Sequence, residues 1–254
     1  MRRRFVRSIV TAVALILMSL PALLSQNAPQ GAKPAPKAAP APKHPDGTPD
    51  LSGVWMGGGG IAARNLKPGD AIELLPAAKK LMDARLSADD PEANCLPTGV
   101  PRMNPYPWRM VQTPTHKAAT HIFILFEGNI HSYRQIFMDG RTHPKDPDPT
   151  WYGHSTGKWE GDTLVVDTVG YNDKFWFDFD GHPHTEQLHT VERFRRADMN
   201  TLLWDITITD PGSYAKPFTV QTRARFEPDW ELMEYICQEN NTNVDHIQGP
   251  AKVR

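Results

Sequence analysis

The chain has 254 residues, with 28 Lys and Arg against 29 Asp and Glu and a formal net charge of -1. At 39% hydrophobic and 9% aromatic it has the composition of a globular protein and excludes a wholly disordered or fibrous one. No basic face shows in the sequence, so nucleic acid is not an expected partner.

Arg2, Arg3, Arg4 and Arg7 give a positive start, and residues 8–24 then run almost wholly apolar up to the small Ser25. That is the n-region, h-region and cleavage site of a secretory signal peptide spanning 1–25. The string Arg2-Arg3-Arg4-Phe5-Val6-Arg7 fits an ordinary Arg-rich n-region and also a twin-arginine export signal. Left uncleaved, the apolar run sits at the lower limit of bilayer-spanning length. Cleavage predicts a periplasmic or secreted protein with no stable membrane insertion, and it removes four Arg and no acid, leaving a charge of -5. Residues 26–46 are Ala, Pro, Lys and Gln with few large apolar side chains, which predicts a disordered linker. The remainder, 47–254, has the length of a single β-barrel domain. Its two cysteines, Cys95 and Cys237, most simply form one disulfide in an oxidising compartment, pinning an early loop to the last strand. The alternative is a reactive or metal-binding thiol pair, although neither lies in a Cys-x-x-Cys setting.

The folded region opens with a short strand through Gly53-Val54-Trp55, which Gly57 to Gly60 break. Pro76 at the start, then Ala77, Leu81, Met82 and Leu86 near helical spacing, predict one short helix over 76–86. Residues 91–108 are rich in Pro and read as a loop, so long loops precede the main β region. Strands are then predicted over 108–113, 119–127, 131–138, 152–159, 163–168, 188–195, 202–209, 218–226 and 232–238, several joined by tight turns such as Glu160-Gly161-Asp162. The fold class is all-β. Roughly ten strands joined mainly by hairpins favour an antiparallel up-and-down barrel, lipocalin-like or related, because closure removes exposed edges.

Alternation assigns faces. Leu164 and Val166 share one side of their strand, Val165 and Asp167 the other. In the strand from Leu188, inward Leu188 and Phe194 carry Glu192 inward with them, while His189, Val191, Arg193 and Arg195 face away. A carboxylate inside a barrel needs a partner, and Arg134, at the parity of Ile136 and Met138, is the expected one.

The strings Asp139-Gly140-Arg141-x-His143-Pro144, Pro149-Thr150-Trp151-x-Gly153-His154-Ser155, Gly157-x-Trp159-Glu160-Gly161-Asp162-Thr163-Leu164-Val165-Val166-Asp167-Thr168 and Glu192-Arg193-Phe194-Arg195-Arg196 resemble, in this order, those of a large set of exported bacterial proteins of uncharacterised function. The resemblance covers about residues 47 to 240 and implies no activity. Gly53-x-Trp55 and the hairpin through Trp159-Glu160-Gly161-Asp162 are similar to lipocalin-like barrels, in which the Trp closes the barrel floor.

Two kinds of chemistry compete. Acid/base catalysis needs a poised titratable group and another to hold developing charge, and His154, His184, Glu192 and Arg134 supply these if the barrel gathers them. Gly153-His154-Ser155-Thr156-Gly157 matches Gly-x-Ser-x-Gly but lacks the helix that a nucleophile elbow needs. His182-Pro183-His184 and His189-x-x-Glu192 offer metal-ligand types without a zinc signature, so no metal ligand is assigned and any cofactor is unknown. Ligand binding is the other class. Arg141, His143, Trp151, Trp176, Asp178 and His182 lie on loops 141–154 and 174–186, and Trp151, Trp159, Phe175, Trp176, Phe177 and Trp204 offer apolar walls. The expectation is an exported barrel binding a small, partly apolar molecule at a mouth lined by His, Asp and aromatic residues. The alternative is an acid/base or metal-assisted lyase, isomerase or hydrolase with a small-molecule substrate at the same mouth. A module without a pocket would instead show an interior filled by side chains.

Overall fold

The computed structural model describes residues 38–241 apart from 61–62, 103–105, 116–117, 129–131 and 240, together with Gly249. The expected export signal, 1–25, and the first part of the expected linker lie outside the described residues. Nine strands follow one another around a closed barrel: β1 Gly53–Gly57, β2 Trp108–Thr115, β3 Ala118–Phe126, β4 Tyr133–Phe137, β5 His154–Glu160, β6 Thr163–Val169, β7 His189–Asp198, β8 Thr201–Thr209 and β9 Phe218–Phe226. The described α-helix, α1, spans Pro76–Ala84 in the long β1–β2 connection, with Pro76 in its first turn, where a missing N–H costs nothing. No described helix is long and apolar enough to cross a membrane.

Three expectations need correction. The barrel is not wholly antiparallel: β4 and β5 run parallel, with Ile136 opposite Ser155 and Phe137 opposite Thr156. A parallel pair cannot be joined by a tight turn, so residues 138–153 form a crossover outside the wall. Residues 232–238 form no strand, because β9 already closes on β1 (Trp55 opposite Phe226) and leaves no edge to pair with. Cys237 therefore lies in a turn, and its disulfide with Cys95 ties the β1–β2 connection to the segment that follows β9. Finally, residues 38–46 lie against the barrel: Met199 N–H donates to Ala39 O, Asp50 N–H to Pro42 O, and Lys43 Nζ lies 2.7 Å from Asp162 Oδ1.

Strict alternation fills the interior. In β8, Leu202, Trp204, Ile206 and Ile208 are buried and the residues between them half-buried. Together with Ile122, Ile124, Ile136, Leu164, Val166 and Phe194 they form one continuous core. Trp55 plugs one end, its ring 6.4 Å from Trp108 and 5.2 Å from Phe226, with the Arg196 guanidinium 4.9 Å above it. The opposite end is stoppered by the β6–β7 connection, whose Tyr171, Phe175, Phe177 and Leu188 all belong to the core. The described interior is filled by side chains, as expected of a module without an internal pocket, and the grooves described below lie on the outer side of the wall.

Candidate functional site

The four residues expected to act together as acid, base and charge holder are in three different places. Arg134 and Glu192 meet inside the barrel, where both side chains are fully buried. Arg134 Nη1 donates to Glu192 Oε1 at 3.0 Å, Nη2 donates to Oε2 and to Thr168 Oγ1 at 2.8 Å, and Nε donates to Ser155 Oγ at 3.0 Å. Trp204 Nε1–H completes the carboxylate's shell at 3.1 Å. Burial alone would weaken the charge on Arg134, but the Glu192 carboxylate more than offsets it and raises the guanidinium pKa. This network is satisfied and specifies the core, and Arg134 also stands in the wall of a groove on the barrel's outer side.

His184 sits in the stopper, 3.8 Å centroid to centroid from Phe175 and 5.0 Å from Phe177. Its Nδ1 lies 3.4 Å from Thr185 O and its Nε2 makes no hydrogen bond, the Phe175 backbone lying only near enough to favour protonation slightly. Burial dominates and depresses its pKa to about 4, so His184 is a neutral core residue. Trp176, Asp178 and His182 belong to the same stopper. Trp176 is buried with the Arg85 guanidinium 4.8 Å above it, and His182 Nδ1 bonds buried Asp178 at 2.6 Å. Phe175, Phe177 and Trp204, expected as ligand walls, are core. Asp178, Asp180 and His182 each place one ligand atom within 4.8 Å of the others. Two carboxylates and one imidazole would suit zinc or a harder divalent cation.

The crossover tells a different story. Gly153 leads it into β5 at φ +65, a conformation open to Gly, and any Cβ there would lie 2.7 Å from both Thr168 Cγ2 and Val169 O. His154 follows, facing outward. His143, on the crossover, bonds His154 Nδ1 through its own Nδ1 at 2.8 Å and Asp167 Oδ1 through Nε2 at 2.8 Å. Asp167 Oδ2 lies 3.0 Å from His189 Nε2. Three imidazoles and a carboxylate thus form a chain across the outer faces of β5, β6 and β7. With the carboxylate accepting from His143 Nε2–H, a neutral His143 leaves its Nδ1 as acceptor. His154 must then donate from Nδ1 and keep the lone pair on Nε2, the tautomer of a general base. Burial, then the neighbouring His143 and Arg141, depress the pKa of His154.

His154 also lines a groove of about 450 Å³ between the outer face of β4 and the crossover, with Tyr133, Phe137, Trp151, Tyr152 and Pro147 among its walls. The Phe137 ring packs against His154 at 5.1 Å and beneath the Arg141 guanidinium at 3.9 Å, and Arg141 pairs with Asp139 and holds its carboxyl down at about 2. Of the ten expected site residues, Arg141, His143, Trp151 and His154 therefore converge at the crossover. Thr150, on the first of the two expected loops, bridges Tyr171, three residues before the second begins. Asp167 and His189 were not assigned to the site.

Fold and site together define a closed β-barrel with a solid core and an external, aromatic-walled groove. No protein-family model matches the chain, and no curated protein or solved structure matches it.

Proposed function

We propose that this chain is an exported barrel protein that binds a small, partly apolar molecule in the groove between β4 and the 138–153 crossover, with His154 as its polar anchor. The observation that carries this reading is the coincidence of aromatic walls and the end of the imidazole–carboxylate chain in one groove of about 450 Å³. That volume falls within the range of ligand pockets, and a lining more apolar than polar, built on aromatic and proline rings with polar groups among them, is what such pockets have in common. His143, His154 and Asp167 all lie inside the strings on which the resemblance to uncharacterised exported bacterial proteins rests. The apolar run of 8–24 and the Cys95–Cys237 disulfide support a periplasmic or secreted location.

Titration with indole, benzoate and 4-hydroxybenzoate, followed by tryptophan fluorescence, tests the binding reading. Saturable quenching that disappears in Trp151→Phe and weakens tenfold or more in Phe137→Ala supports it. Absence of binding, or binding unchanged in both variants, sinks it.

A second reading, acid/base catalysis on the bound molecule, is favoured by the tautomer that a neutral His143 imposes on His154. A basic Nε2 beside an aromatic groove can accept a proton from a bound C–H or O–H group, with His143 and Asp167 as positioning residues. The two readings part on His154→Gln, which removes all turnover from an enzyme but alters only affinity in a binding protein.

A further inference from the structure

A second, larger groove lies elsewhere, and its chemistry differs. It has a volume of about 810 Å³ and runs over the outer faces of β6 to β9 beneath the segment that leaves β1. Arg193, Arg195 and Arg223 reach it from the barrel wall, and Arg64 reaches it from the β1–β2 connection. All four are exposed. Asp205 is the one carboxylate in the lining, and its Oδ2 accepts from Gln221 Nε2 at 3.2 Å. Arg193 is paired with Glu160 at 2.9 Å, whereas no ion pair forms on Arg64, Arg195 or Arg223 among the described residues.

Strand register makes this arrangement deliberate in shape. Arg195 stands opposite Leu203, and Leu203 opposite Arg223, so two guanidinium stems flank one apolar side chain in a single row. Two inter-strand spacings separate the Cα atoms of the two arginines by about 10 Å. The next row reads Arg193, Asp205, Gln221. The rest of the molecule makes the cluster more notable. The first 37 residues hold six bases and no acid, so residues 38–254 carry a formal charge of -7. Like charges side by side on an otherwise acidic body repel one another unless a counter-charge joins them.

We propose that this groove is a binding site for a small multivalent oxyanion, a compact polycarboxylate or phosphoanhydride, gripped between Arg195 and Arg223 over Leu203 and covered by Arg64. Guanidinium forks match carboxylate and phosphate geometry through paired N–H donors, which a scatter of lysines would not do. The size suits a small polyanion. This site is independent of the groove at His154, and either can fail without the other.

Isothermal titration of the folded protein with citrate and with inorganic pyrophosphate, each against sodium chloride of equal ionic strength, is the test. Saturable binding of at least one of them is expected, weakened tenfold or more in Arg195→Gln/Arg223→Gln and measurably in Arg64→Gln. Lys79→Gln/Lys174→Gln, which removes two charges elsewhere, should leave it within twofold. Because the arginines are exposed, each variant should keep the parent circular dichroism and melting midpoint; Arg64→Gln, off the barrel wall, serves if the strand double variant does not. Equal losses in both double variants would mean diffuse attraction and overturn the proposal. So would no binding of either anion at low salt, or binding only of heparin or a single-stranded oligonucleotide.

Discussion

Glu192 and Arg134 carry opposite charges into the buried interior of the barrel, and the cost of that is offset only while both are present. Removing one charge leaves the other buried and unmatched, a loss of about 3–5 kcal/mol in comparable cases. Glu192→Gln should therefore lower unfolding free energy by about that much in urea titrations. Arg134→Met/Glu192→Leu should cost markedly less than the sum of its parts. A double-mutant cycle that adds linearly would dispose of the coupling. His184 makes a different statement. Its pKa is depressed by burial from the ordinary 6.5 to about 4. Between those values the unfolded chain binds a proton that the folded chain refuses, so stability falls as pH drops through that window and the loss is complete below about 4. The size is on the order of 3 kcal/mol, and His184→Gln should flatten the midpoint's pH dependence between 6.5 and 4.

The crossover of residues 138–153 is the element on which the proposed ligand site depends. Its own backbone offers little to hold it: Thr150 bonds the β6–β7 connection, and Gly153 threads into β5 through a left-handed conformation. The His143–Asp167 contact is the clasp between these anchors and the end of β4. Asp167→Asn keeps the shape but cannot accept from two imidazoles through two carboxylate oxygens. Tryptic cleavage after Arg141 and Lys145 should quicken in that variant with the global melting midpoint nearly unchanged. Gly153→Ala forces a side chain onto Val169 O and should cost about 1–3 kcal/mol. Cleavage at parental rate in Asp167→Asn would show the clasp to be ornamental. Part of this site was readable from letters alone. The turn Glu160-Gly161-Asp162 sets Glu160 opposite Thr163, and counting back places Thr156 opposite Asp167, with His154 one diagonal away. His189 lies diagonal to Asp167 on the other side, since Val191 is its direct partner. What letters could not show is that His143, on a loop with no period, folds back onto that patch. They also could not show a parallel pair, because strand direction depends on where the chain travels between strands and not on the strands' own pattern. The loop 174–186 misled for a related reason. Its aromatic and polar mixture suits a ligand mouth and a barrel stopper equally, and only the packing of Phe175 and Phe177 around His184 separates them.

At the scale of the molecule, closure explains why alternation was such a dependable guide. A sheet without edges has one inside and one outside, so Glu192 had to find Arg134 and the outward arginines had to gather on the surface. Closure of the sheet does not by itself hold the long β1–β2 connection or the segment after β9, which lie outside its ladders. The Cys95–Cys237 bridge joins these two, and the stretch between its ends, a sequence separation of 142, includes eight of the nine strands. Constraining so long a loop in the unfolded chain stabilises by about 5 kcal/mol on chain-entropy grounds. Cys95→Ser/Cys237→Ser should lower stability by about 3–5 kcal/mol, detected as a lower urea midpoint at an unchanged or slightly larger dependence on denaturant. The same loss should appear in the parent protein under reductant and be absent from the double variant. That last comparison is decisive. If reductant still destabilises the double variant, something other than the bridge responds to it, and the link between oxidation and the folded state is broken.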